Sequence, residues 1–226
     1  MSFTRRSNTL FHNYSMSGSV ISRKFVHRDL GVIMDSKLNF KFQLQKMLSS
    51  TKKTSGLVYW ISKKFLKRST KMVLFSALVR SKLEYCSEVW NGICDTDKSK
   101  IEQIQNNFLR RVSYYECGRS SSYNVSLEMY HLTNLSVRRT YKDIVFLFKL
   151  INNIIDCMYL VSKVYVNVPR LNSRHIRHFR IPQAENFNLV PINRLMYICN
   201  SLPSLDFSLS MNTFTQRVKN IIFVIR

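Results

Sequence analysis

The chain has 226 residues, 45% of them hydrophobic and 12% aromatic, enough for one sizeable core or one core with an attached lobe. Only five Gly and four Pro argue against a low-complexity or disordered chain. Thirty-five Lys and Arg against 13 Asp and Glu give a formal charge of +22, the electrostatic footprint of a polyanion binder.

The first 37 residues read as strand. Tyr14 to Met16 and Val20 to Val26 flank Ser17-Gly18-Ser19, which suits a hairpin turn. Leu30, Val32 and Ile33 around Gly31 predict another short strand that ends at Asp35-Ser36. From Leu38 the pattern turns helical, with Phe40, Leu44, Met47 and Leu48 on one face, and helix resumes over Leu57 to Phe65 after Thr54-Ser55-Gly56. Ser69 is a candidate N-cap for a helix whose apolar stripe is Phe75, Val79, Leu83, Cys86 and Trp90. Asp97 or Ser99 opens the next helix, and Ser99 with Glu102 has capping-box spacing. Ile101, Ile104, Phe108 and Val112 form the buried face of that helix.

After a Ser-rich segment, Cys117 to Asn124, a helix opens at Asn134 or Ser136 and places Val137, Tyr141, Ile144, Phe148 and Ile151 on one face. Pro169, Pro182, Pro191 and Pro203 all lie beyond Asp156, which predicts an extended lobe with short helices near Ile192 to Leu202 and Asn212 to Ile225. The expected architecture is therefore mainly α: a helical bundle over residues 38–156, a β element over 1–37, and a loop-rich basic lobe over 157–226.

The five cysteines, with no Cys-x-x-Cys, fit reduced thiols of an intracellular protein in the nucleus or cytoplasm. No secretory leader is visible. The most apolar run, Ile144 to Val161, is interrupted by Lys149, Asn152, Asn153 and Asp156, so no membrane partner is expected.

Charge is unevenly placed. From Ser36 to Leu83 there are twelve Lys or Arg and no Asp or Glu. Lys52, Lys53, Lys63, Lys64, Lys67, Arg68 and Lys71 belong to this block, with Tyr59, Trp60 and Phe65 interleaved. Phosphates are the expected counterions because nothing acidic lies near in sequence, while Trp60 and Phe65 are expected in the core. Arg138 and Arg139 open a helix where the dipole disfavours cations, which points to an external anion or acidic partner. Arg174 and Arg177, around His175-x-x-His178, suggest a phosphate-contact loop, since a cationic surround opposes zinc.

Catalytic chemistry is thin. No Asp-Asp pair occurs, and Asp95-Thr96-Asp97 suits an interhelical turn better than a metal site. There is no Gly-rich phosphate cradle, and no cofactor is implied.

Several segments resemble the region after the catalytic palm in reverse transcriptases of non-LTR retrotransposons of the jockey-like, LINE type. They are Tyr14 to Gly18, Asp29 to Val32, Leu78 to Tyr85 with Val89-Trp90, Ile101-Glu102 with Gln105 and Phe108 to Arg110, and Leu135 to Arg139 with Asp143 and Phe146 to Leu150. Arg177, Phe179, Pro182, Asn186, Arg194, Asn200 and Leu202 echo the family's tail. The resemblance implies a thumb-like region that grips template and primer as RNA, DNA or their hybrid, with residues 1–37 as the end of the palm. The family's RNA-directed DNA polymerase activity does not carry over, because its aromatic-x-Asp-Asp turn has no match here. The alternatives are a basic scaffold or protein-interaction module recruited from a transposable element, or a non-functional relic of one.

Overall fold

The computed structural model describes residues 1–4, 12–64, 67–118, 122–167, 178–182, 190–202 and 205–224. The fold is mainly helical, with two small antiparallel hairpins near the N-terminus.

The first hairpin pairs β1 (Ser15–Met16) with β2 (Ser19–Val20), and the second pairs β3 (Val26–Asp29) with β4 (Val32–Asp35). Both close through two residues at positive φ, Ser17-Gly18 and Leu30-Gly31, the twist that suits a two-residue hairpin turn. Gly31 is required twice over. Its φ is +85°, and a Cβ there would sit 3.4 Å from the Tyr85 ring, whose hydroxyl donates to the Leu30 carbonyl at 2.8 Å. The hairpin is thereby pinned to the helical body.

Helix α1 (Lys41–Ser62) runs unbroken through Thr54-Ser55-Gly56, where the sequence suggested an interruption. Its inner face carries Leu44, Met47, Thr51, Ser55, Val58 and Ser62. Thr51 and Ser62 survive burial there because each hydroxyl donates to a carbonyl of its own helix, Met47 at 2.6 Å and Tyr59 at 2.8 Å. Helix α2 (Arg68–Phe75) starts one residue before Ser69. It continues through a π-helical turn, Ser76–Arg80, into α3 (Ser81–Glu84). The chain then breaks at Tyr85, which is extended, and Cys86, at φ 50°, before α4 (Ser87–Trp90). The predicted stripe survives this break, since Phe75, Val79, Leu83 and Trp90 are fully buried and the Trp90 indole donates to the Tyr85 carbonyl at 2.8 Å.

Helix α5 (Asp95–Cys117) places Asp95 and Asp97 in its first turn, where carboxylates favour the dipole, and ends on Gly118 in the left-handed region. Asp95 and Asp97 pair with Lys98 and Lys100 at 2.8 and 2.7 Å. The expected capping box does not form. Glu102 reaches instead to the start of another helix, α7 (Leu135–Ile151), accepting the amide protons of Leu135 at 3.0 Å and Ser136 at 3.3 Å. Between them, α6 (Tyr123–Met129) supplies the Tyr123 hydroxyl, which also donates to Glu102.

Two apolar clusters fill the interior. One joins α1, α2, α3, α4, α5 and α6 around Phe75, Phe108 and Trp90, with Phe75 and Phe108 stacked at 4.4 Å. The other joins the second half of α7 to α9 (Pro191–Ser201) and α10 (Met211–Val224), with Phe148 and Phe214 stacked at 4.0 Å. Helix α7 serves both clusters. Short α8 (Met158–Val161) follows it, and an isolated bridge, Val166 to Phe179, is held where both backbone groups of Phe179 bond the Asn200 amide at 3.0 and 2.7 Å.

Candidate nucleic-acid interface

The outer face of α1 is what its inner packing leaves over. Phe42, Lys46, Lys53, Leu57 and Trp60 recur at helical spacing on that face and, with Lys64 in the turn that follows the helix, are all exposed. The stripe is about 30 Å long, close to one turn of a nucleic-acid duplex. Trp60 is 59% exposed, which corrects the expectation that it fills the core. Phe65 lies outside the described residues.

Lysines are stacked on the aromatic groups of this face. The Lys64 ammonium lies 5.2 Å from the Trp60 ring centre, and the Lys63 ammonium 5.1 Å from that of Tyr59. Helix α5 runs beside α1 in the same direction, as the Lys41 charge near Asp97 and the Arg111 guanidinium 5.9 Å from the Tyr59 ring establish. The basic block in the sequence does not extend to this neighbour. Arg110, Arg111, Tyr114 and Tyr115 are exposed on α5 and enlarge the basic, aromatic surface. Their one signal in the sequence is their position off the Ile101, Ile104, Phe108, Val112 stripe.

The predicted cations divide into two groups. Lys52, Lys53, Lys63, Lys64 and Lys67 are exposed, with no carboxylate in ion-pair range among the described residues. Arg68 and Lys71 are not free in this way. Glu116, on α5, binds Arg68 at 3.1 Å and Lys71 at 2.7 Å, and also accepts from the Tyr130 hydroxyl at 3.2 Å. Lys71 is only 3% exposed, so it is an interior partner and no phosphate contact. Burial works against the charged Glu116, but the hydrogen bonds and charges of Lys71 and Arg68 outweigh it and hold the carboxyl below its usual range. The block lacks acidic residues in sequence, yet the fold brings one in from 45 positions away.

Arg138 and Arg139 need the same correction. Arg138 forms a two-pronged pair with Glu84 of α3, with its Nη2 at 3.1 Å from Oε2. Lys142 at 3.4 Å and Arg80 at 3.9 Å complete a ring of cations around that carboxylate. Burial would raise the Glu84 carboxyl, but the Arg138 hydrogen bond and the three charges hold it below its ordinary value. Arg139 is 1% exposed, and its Nε donates to Asn91 Oδ1 at 3.0 Å. Asn91 passes the contact on to Asp143 at 2.8 Å, and Arg194 of α9 lies 3.4 Å from the same carboxylate. Burial raises the Asp143 carboxyl, against the lowering effect of Arg194. The anion that Arg138 requires is internal, and it lies 54 residues away in the chain.

Arg174, Arg177 and His175 lie outside the described residues. His178 packs its ring on Phe207 at 5.9 Å. Among the described residues, no group of three His, Cys, Asp or Glu could hold a metal ion, and no helix is long and apolar enough to cross a membrane. Comparison with protein-family models, curated proteins and solved structures gives no match.

Proposed function

We propose that this chain is a nucleic-acid-binding, thumb-like segment of a non-LTR retrotransposon reverse transcriptase, and that it grips RNA, DNA or their hybrid along the outer face of α1. The observation that carries the reading is that face itself. Exposed lysines with no carboxylate partner among the described residues alternate with exposed Phe42, Leu57 and Trp60. Lysines neutralise phosphates, and aromatic faces stack on bases without reading their sequence. Single exposed apolar side chains occur elsewhere on this surface, so it is their interleaving with unpaired lysines that supports the reading.

The family reading has separate support. The residues that carry the resemblance are partners of one another in the fold: Tyr85 with Leu30, Glu84 with Arg138, and Asp143 with Arg194. Segments far apart in the chain thus answer one another.

The test is ultraviolet crosslinking of the chain to single-stranded RNA, followed by peptide mapping. Crosslinks are expected within Lys53 to Lys64, centred on Trp60, with a second set at Tyr114 and Tyr115. Crosslinks confined to other helices would overturn the assignment. Saturable capture of a protein partner by this face, with no nucleic-acid binding, would favour the recruited interaction module.

A further inference from the structure

Three large aromatic side chains stand in solvent at one end of the α1 and α5 pair. Trp60 is 59% exposed, and Tyr114 and Tyr115 are 65% and 55% exposed. All three fall in the last turn of their helices, and the Arg111 guanidinium beside the Tyr59 ring holds those ends together. Tyr59 itself is half-buried against the core with Lys63 and Arg111 both at its ring, so it is the joint between the helices and not a platform.

Two of the outer rings are steadied by cations. The Lys64 ammonium lies 5.2 Å from the Trp60 ring centre, and that of Lys71 5.5 Å from the Tyr115 ring centre. A single cation covers one face of a ring, and exposures this high leave the rest to solvent. The charge beside the rings is not neutralised. Lys53, Lys63 and Lys64 have no carboxylate in ion-pair range among the described residues. Glu116, next to Tyr115 in the chain, is taken by Arg68 and Lys71.

We propose that this end of the α1 and α5 pair binds single-stranded nucleic acid in preference to duplex, with Trp60, Tyr114 and Tyr115 stacking on unpaired bases. The proposal rests on the nucleic-acid reading of α1 and narrows its substrate. Inside a duplex the base faces are stacked on one another and closed to a side chain, whereas a single strand can turn them outward. Lysines alone would favour the opposite choice, because a duplex carries the denser phosphate charge. Stacking on exposed rings reverses that order, since each stacked base strengthens binding by about fivefold or more.

Fluorescence anisotropy at fixed salt tests this with the whole chain and three probes. They are an unstructured RNA strand, the same strand paired with its complement, and an abasic ribose-phosphate strand of equal length. The parent should bind the first about tenfold or more tighter than either of the others. Changing Trp60, Tyr114 and Tyr115 together to Ala should remove most of that preference. The salt dependence of duplex binding should stay as it was, because no cation is lost. The abasic strand makes the same test on the parent chain, so the proposal does not depend on how well the variant folds. Tyr159, on α8, is also exposed and lies under Lys163 at 5.4 Å, and Tyr159→Ala should leave the preference in place. Duplex bound as tightly as the single strand, an abasic strand bound equally well, or a preference that survives in the folded triple variant would overturn the proposal while leaving a basic nucleic-acid face. No binding of any of the three probes would overturn the nucleic-acid reading with it.

Discussion

Glu84 shows how one side chain can organise distant parts of the chain. It is the common acceptor for Arg138, Lys142 and Arg80, and so ties α3 to α7. Glu84→Gln keeps the shape but strands three cations at a half-shielded site. A loss of about 1–3 kcal/mol in stability is expected by chemical denaturation. The pH dependence follows from the same group. The folded carboxyls of Glu84 and Glu116 lie below their ordinary value, so their stabilisation is complete above that value and is lost as pH falls through the folded ones. Asp143, raised by burial, acts in the opposite sense and offsets part of this loss on acidification. The melting temperature should hold steady down to about pH 5 and then fall, with a shallower acid limb in Glu84→Gln. An identical limb in the variant would show that Glu84 is not a principal source of the acid sensitivity.

At the level of elements, apolar periodicity was the reliable part of the sequence. Phe75, Val79, Leu83 and Trp90 of one predicted stripe and Ile101, Ile104, Phe108 and Val112 of the other are buried, while Cys86, at the break before α4, is half-buried. Phe108 is fully buried and stacked on Phe75, so Phe108→Ala should cost about 3–5 kcal/mol, read as a cooperative loss of melting temperature. An unchanged melt would show that this face is not core. Helix ends were less legible, because their partners are not local. Glu102 has capping-box spacing to Ser99 but serves α7, and the break at Tyr85-Cys86 is set by contacts to Leu30 and Trp90. Burial on α7 departs from the predicted stripe for a similar reason. Arg139 and Asp143 lie on its inner side, four residues apart, because Asn91 and Arg194 complete them from other elements. Of the candidate site, the exposed lysines of α1 were legible. The capture of Arg68, Lys71, Arg138 and Arg139 by interior carboxylates and amides was not, since those partners lie 45 to 54 residues away.

For the whole molecule, the formal charge of +22 overstates the cation supply of any one surface, because several Arg and Lys are consumed inside. Among the described residues, α1 and the turn after it keep Lys46, Lys52, Lys53, Lys63 and Lys64 exposed, and α5 adds Arg110 and Arg111. The chain has no Asp-Asp pair, so no nucleotide incorporation is expected on a primed RNA template with Mg²⁺ or Mn²⁺. Incorporation that disappears on replacing an acidic residue here would contradict that. The most direct measurement is nucleic-acid affinity as a function of salt, for the parent chain and for the variant with Lys52, Lys53, Lys63 and Lys64 all changed to Ser. Each phosphate contact releases counterions, so the parent should bind steeply more weakly as salt rises. The variant should bind unrelated sequences more weakly, with the plot of log affinity against log salt flatter by roughly one unit for each phosphate that it no longer neutralises. Its melting temperature should scarcely change, since these are surface positions. Equal affinity and equal slope for parent and variant, on duplex and hybrid alike, would contradict the account.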